Sequence, residues 1–129
     1  MLNIDEKEIS ILMTRIQREL DSKNLEALLE YYHPEIIYIS PAFPHPIKGI
    51  TDLASAFESH FKTPQRTASE VVEIIITRLG DSSFAVTALV EGRQIIYYSE
   101  QRFRGWLSRI FIERNSNPQI ILDHFTLVK

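Results

Sequence analysis

Two charged residues near the C-terminus raise the first chemical question. Arg109 lies in "GWLSRIF" and Asp123 in "ILDHF", on either side of the turn-forming run "ERNSNP". If that turn joins two strands, the guanidinium and the carboxylate can meet across the pair. An Arg in an apolar pocket stabilises an oxyanion or binds a carboxylate. An Asp beside it, tuned by the Arg, is a candidate pocket base or ligand acceptor. The plainer outcome is a buried ion pair that satisfies only itself. Asp123 stands two residues before Phe125, so these side chains share one strand face. A register slip of one residue would turn His124 inward instead, so both Asp123 and His124 are candidate bases.

A second set lies in "IIYISPAFPHPIKGI", residues 36–50. Tyr38 and Ser40 alternate and face the same way, and Tyr38 would bring a phenolic donor to an apolar cavity. The neutral hydroxyl of Ser40 cannot act unaided as a general base at neutral pH. His45 sits in the proline loop, where the bland alternative is a solvated histidine. The other histidines, His33, His60 and His124, sit on different elements and form no H-x-H or H-E-x-x-H pattern. His33 reads as a helix-end residue and His60 as lying on the exposed side of its helix. No metal site is implied. There is no cysteine, glycine-rich phosphate loop, dinucleotide fingerprint or nucleophile elbow, so no organic cofactor is implied.

The elements that must position these groups follow from periodicity. Residues 5–21 read as a helix with Ile9, Leu12, Met13, Ile16 and Leu20 on one face, capped by Asn3 or Asp5. A short helix follows, striped by Leu25, Leu28, Leu29 and Tyr32 and stopped by Pro34. Residues 35–40 read as a strand and 41–46 as a loop, since each proline lacks an amide donor. Thr51 is the expected cap of a third helix carrying Leu53, Phe57 and Phe61. The remainder is rich in β-branched and aromatic residues. It reads as four antiparallel strands, about 68–79, 82–98, 101–114 and 119–128. Helices first and strands after argue an α+β domain with helices on one face of a sheet.

Those strands carry apolar residues on both faces. "VVEIIIT" barely alternates, and Phe103, Leu107 and Phe111 oppose Trp106 and Ile110. Three helices cover one face only. The other face packs on a second copy, as a two-fold homodimer, or is covered by local twist and a C-terminal segment. "QRFRGWLSR" interleaves basic and aromatic residues, but strand alternation splits them between faces and the net charge is −3, so no nucleic-acid surface is expected. No apolar run approaches the roughly 20 residues of a membrane span. The acidic start "MLNIDEKEIS" lacks the features of a signal peptide, and a cytoplasmic protein is expected.

The element order, with "DSKNLEALLEYYHPEIIYISPAFPHPIKGITDLASAFESHF", "SRIFIERNSNPQIILDHFT" and the ending "ILDHF", resembles the nuclear transport factor 2-like superfamily. That superfamily includes SnoaL-like polyketide cyclases, ketosteroid isomerases and the association domain of calcium/calmodulin-dependent protein kinase. The resemblance covers nearly the whole chain. It implies a single domain over residues 1–129, a cone-shaped α+β barrel in which three N-terminal helices pack on a curved, mostly antiparallel sheet around a pocket. It also places His45 at the pocket mouth. Ser40, Ile16 and Arg109 stand where the isomerases carry their strand-end acid, tyrosine and second acid, so the resemblance argues against that reaction. An Arg at the place of Arg109 lines the pocket of the kinase association domains.

Two functions are therefore expected. One is a small-molecule-binding protein with isomerase- or cyclase-type acid–base chemistry and no cofactor. It would use Asp123 or His124 as base and Tyr38, Ser40, His45 and Arg109 as contacts to a small apolar or carboxylate-bearing ligand. The other is a non-catalytic ligand-binding or oligomerisation module, which the long hairpin around "EGRQIIYYSEQRF" favours.

Overall fold

The computed structural model describes residues 2–128. Helix α1 spans Glu6–Asp21, and Asp5 caps it by accepting the Glu8 amide at 2.8 Å. Its Ile9, Met13 and Ile16 are fully buried. Lys23 turns the chain with a positive φ of 58°. Asn24 then caps α2 (Leu25–Leu29), accepting from the Ala27 amide.

Three local expectations change here. Helix α2 ends at Glu30, ahead of Pro34, and strand β1 begins at Tyr32 and runs to Ile39. Pro34 falls within β1 where pairing with its neighbour is irregular, between Tyr32 and Ile37, a place that tolerates a residue without an amide donor. The proline loop ends in a two-residue edge strand, β2 (Ile47–Lys48), which pairs antiparallel with β1. Helix α3 (Ile50–Phe61) is capped by Gly49, whose φ of 90° suits glycine, and Thr51 lies exposed in its first turn.

Four long strands follow: β3 (Arg66–Gly80), β4 (Ser83–Ile96), β5 (Ser99–Arg114) and β6 (Asn117–Leu127). The β4–β5 hairpin turns at Tyr97–Tyr98, with Tyr97 in the left-handed region. The sheet order is β2-β1-β6-β5-β4-β3, antiparallel except for the parallel β1–β6 pair. Helix α1 packs on β3, α3 on β1 and β2, and α2 bridges the two helices. The α+β architecture is therefore as expected, with the helices gathered on one face. No described helix is long and apolar enough to cross a membrane.

The helix-side core stacks Phe84 on Phe111 with centroids 4.8 Å apart, and buries Leu53, Phe57, Val86 and Ile120. On the opposite face, Ala85, Ile110, Leu122 and Ile37 run in register across four strands; a polar row of Thr87, Ser108 and His124 follows, and Leu89 lies opposite Trp106 beyond it. Trp106, Ile37 and Ile75 on this outer side remain exposed by 38%, 39% and 51%.

Gly105 is the point where the sheet accommodates the site. A Cβ there would lie 2.3 Å from the Phe125 ring and 2.7 Å from the Thr126 carbonyl oxygen. Its absence lets the Phe125 ring approach the β5 backbone closely. Gly105→Ala should therefore lower stability by about 1–3 kcal/mol through overpacking, measured as a fall in urea midpoint. An unchanged midpoint would show that Phe125 moves aside freely.

Candidate functional site

The register of three strands brings the polar groups together. Arg109 on β5 pairs with Asp123 on β6, and Asp123 pairs in turn with Tyr38 on β1. Strand alternation turns all three toward the helices. Arg109 Nε donates to Asp123 Oδ2 at 3.1 Å, and both side chains are about 98% or more removed from solvent. The Tyr32 hydroxyl donates to the same Oδ2 at 2.8 Å. Arg109 Nη1 reaches Met13 Sδ of α1 at 3.7 Å, a weak acceptor. Asp123 Oδ1 is buried and takes no hydrogen bond from the described residues.

The electrostatics hold this cluster in one protonation pattern. Burial alone would weaken the charge of Arg109, but the adjacent Asp123 carboxylate more than offsets it and raises its affinity for the proton. Burial and the same carboxylate push the Tyr32 and Tyr38 phenols above their usual range. Both tyrosines are therefore neutral donors at physiological pH. Arg109, Asp123 and Tyr32 are engaged with one another, and of the two phenols only Tyr38 stands on the cavity lining.

Arg109, Asp123 and Tyr38 are among the residues that line a cavity of about 560 Å³. One wall is aromatic: Phe57 stacks on Phe61 at 5.5 Å, and Tyr38 meets the edge of Phe57 at 5.2 Å. The facing wall is the sheet, with Val90, Phe103, Leu107 and Phe125. A second polar group lies on the α1–β3 side. Asp21 Oδ2 accepts from the Ser69 amide at 2.8 Å and hydroxyl at 2.7 Å, and Gln17 Nε2 donates to the Ser69 hydroxyl at 2.9 Å. Burial raises the Asp21 carboxyl from its ordinary range, while the two Ser69 hydrogen bonds pull the other way.

The sequence candidates divide. Asp123, Arg109, Tyr38 and Ser40 all line the cavity. Ser40 Oγ accepts from the Ala42 amide, which ties it to its own turn. His124 takes the other side: it pairs with Ser108 and Ile39, is exposed, and sits within 3.3 Å of the Thr126 hydroxyl on the outer face. His45 is exposed in the loop and does not line the cavity. His60, expected on the outside of its helix, instead lines the cavity half-buried, its ring 5.7 Å from Phe43. Tyr32, Gln17 and Asp21 were not singled out by sequence. Their roles depend on the β1–β6 and α1–β3 contacts, which no local pattern encodes. Among the described residues no cluster of three or more His, Asp or Glu is arranged to hold a metal ion.

His60 gives the site a pH dependence. Burial, and then the charge of Lys23, lower its proton affinity below the usual 6.5. The fold thus favours neutral imidazole, and that contribution is present above pH 6.5 and lost as pH falls through the lower native value. Asp21, whose carboxyl is raised, acts in the opposite sense on acidification. The stability difference between wild type and His60→Gln should shrink between pH 7 and pH 5; a constant difference would show that His60 does not titrate with folding.

No family model matches this sequence, and no curated protein matches it. Solved structures do. The chain is similar to the β subunit of benzoate 1,2-dioxygenase from Burkholderia mallei, with a TM-score of 0.84 at 16% identity over 99% of this chain and 93% of that one. It is similar to the association domain of C. elegans CaMKII, with a TM-score of 0.77 at 12% identity over 94% of each chain. It is also similar to a Streptomyces avermitilis protein of the NTF2-like family, described as a candidate dehydratase, with a TM-score of 0.82 at 10% identity over 95% of each chain. Identities this low speak to architecture alone. On that ground the chain has the nuclear transport factor 2-like fold.

Proposed function

We propose that this protein binds a small, largely apolar and uncharged molecule in the cavity between the helices and the sheet, with the Arg109–Asp123–Tyr32 cluster as its polar anchor. The observation that supports this is a cavity of about 560 Å³ walled by Phe57, Phe61, Phe103 and Phe125, with Tyr38 and Ser40 also on its lining. The aromatic wall suits an apolar ligand, and the phenol and hydroxyl suit its polar groups. A ligand carboxylate would be repelled by Asp123, whose own charge already occupies Arg109 Nε. Acid–base chemistry, if the bound molecule reacts, would draw on Asp123, with the phenol of Tyr38 as donor. His60 is a further titrating group on the cavity lining.

The outer sheet face favours a second function beside the first, as an assembly surface. The row Ala85–Ile110–Leu122–Ile37 is apolar, and Trp106, beyond the polar row Thr87–Ser108–His124, is 38% exposed on the same face. We infer a two-fold homodimer through it, an association that would leave the cavity on the far side of each sheet accessible. The site of action and cellular compartment proposed with this reading are cytoplasmic, and neither nucleic acid nor membrane is proposed as a partner.

Two measurements test these readings. A neutral solvatochromic naphthalene probe should bind saturably at one site per chain. Ala42→Trp, at an exposed position of the cavity rim, should weaken it about tenfold by obstruction. Weak, non-saturating binding unaffected by Ala42→Trp would count against the cavity as a ligand site. Native mass spectrometry should give twice the 15.0 kDa chain mass, and Trp106→Glu should shift it to monomer with the far-UV spectrum kept. A monomeric wild type would remove the assembly reading.

A further inference from the structure

Three uncharged polar side chains on the cavity lining form a row across the sheet. Thr67 on β3 is in register with Gln94 on β4, and Gln94 with Gln101 on β5. All three line the cavity, and their side chains make no hydrogen bond or ion pair among the described residues. Neighbouring strands lie about 4.8 Å apart, so the row is a ledge about 10 Å wide. The same strand segments keep their charge on the outer face, where Arg104 pairs with Glu91 at 3.0 Å and Arg93 with Glu100 at 3.2 Å. The charged residues on the lining are otherwise engaged. Asp21 is held by Ser69, Lys23 donates to the Thr63 carbonyl oxygen at 2.9 Å, and Arg109 and Asp123 hold each other. Arg102 is rooted on the outer face by alternation. Phe103 stands next to the row, two residues from Gln101 and so about 7 Å along β5. A Cβ on Gly92 would lie 2.8 Å from Phe103 Cζ, so this ring comes close over β4 two residues from Gln94.

Resting on the binding function proposed above, we propose that the ligand is an aromatic molecule bearing a neutral head group that both donates and accepts hydrogen bonds, such as a carboxamide or lactam, and that Thr67, Gln94 and Gln101 recognise this head. Each glutamine amide offers an acceptor oxygen and two N–H donors, and the threonine hydroxyl does both. A head with a donor and an acceptor side by side is met at both atoms by such a row. A ring packed on Phe103 by face or edge contact places its substituent within reach of Gln94 and Gln101. A carboxylate head would give up its hydration without meeting a counter-charge in the row, so the ledge selects against it. A bare hydrocarbon leaves the amides unmatched and gains only its apolar burial.

Three probes with one ring system and different heads test this by equilibrium dialysis of the full chain at pH 7.5: naphthalene, 2-naphthamide and 2-naphthoate. The amide should bind about tenfold more tightly than the hydrocarbon, and the carboxylate no more tightly than the hydrocarbon. The double variant Gln94→Leu with Gln101→Leu should remove the advantage of the amide and leave naphthalene bound as before, which also shows that the cavity is intact. Equal affinity for naphthalene and 2-naphthamide would overturn the head-group assignment while leaving the cavity as a binding site. So would an amide advantage that survives the double variant, or a carboxylate bound more tightly than the amide. If the double variant fails to fold, the wild-type ranking of the three probes decides alone. Failure of all three probes to bind would overturn the underlying cavity function.

Discussion

A guanidinium taken out of water is the constraint on which this structure turns. Arg109 is almost wholly buried under α1, and an unpaired charge there would cost several kcal/mol. Asp123 meets it from the next strand, and Tyr32 meets Asp123 from the strand beyond. These contacts hold the register of β1, β6 and β5, because a slip of one residue would send Arg109 or Asp123 to the outer face and leave the other alone. Met13 completes the enclosure from the helix side. The parallel β1–β6 pairing, the least local feature of the fold, is thereby tied to a specific polar contact.

The same arrangement borders the cavity. Asp123 has two oxygens, and the protein supplies donors to one of them. Arg109 neutralises the carboxylate without occupying its second oxygen. The tyrosines stay protonated in its field and so act as donors. The result is a buried, internally paired cluster bordering an aromatic-walled cavity. The outer face of the same strands carries Ile110 and Trp106, so alternation along β5 puts Leu107 and Arg109 on the cavity side and these apolar side chains on the other.

Much of the architecture was legible in the sequence because it rests on local rules. Helical spacing marked α1 and α3, and the "ERNSNP" run marked the β5–β6 turn. The proximity of Arg109 and Asp123 followed from that turn. The choice between Asp123 and His124 did not, since it depends on a register set by distant partners; the pairing with Tyr38 and Arg109 turns Asp123 inward. Tyr32 was read as a helical residue because Leu25, Leu28 and Leu29 precede it at helical spacing. The chain instead leaves the helix at Glu30, and Tyr32 reaches Asp123 across 91 positions of sequence. His60 was placed outside because its own helix pattern says nothing of the loop residue Phe43 that covers it. Asp21 looked like a helix terminus, and only the contact of α1 with β3 brings Ser69 to it.

The central claim is that Arg109 and Asp123 stabilise the fold only as a pair. A double-mutant cycle with Arg109→Met and Asp123→Leu, read by urea denaturation, tests it most directly. Each single variant should lose about 3–5 kcal/mol, because it strands a buried charge. The double variant should be at least as stable as either single variant, giving a coupling energy of several kcal/mol. Single losses that add to within about 0.5 kcal/mol in the double variant would contradict the account, showing that the two residues act independently.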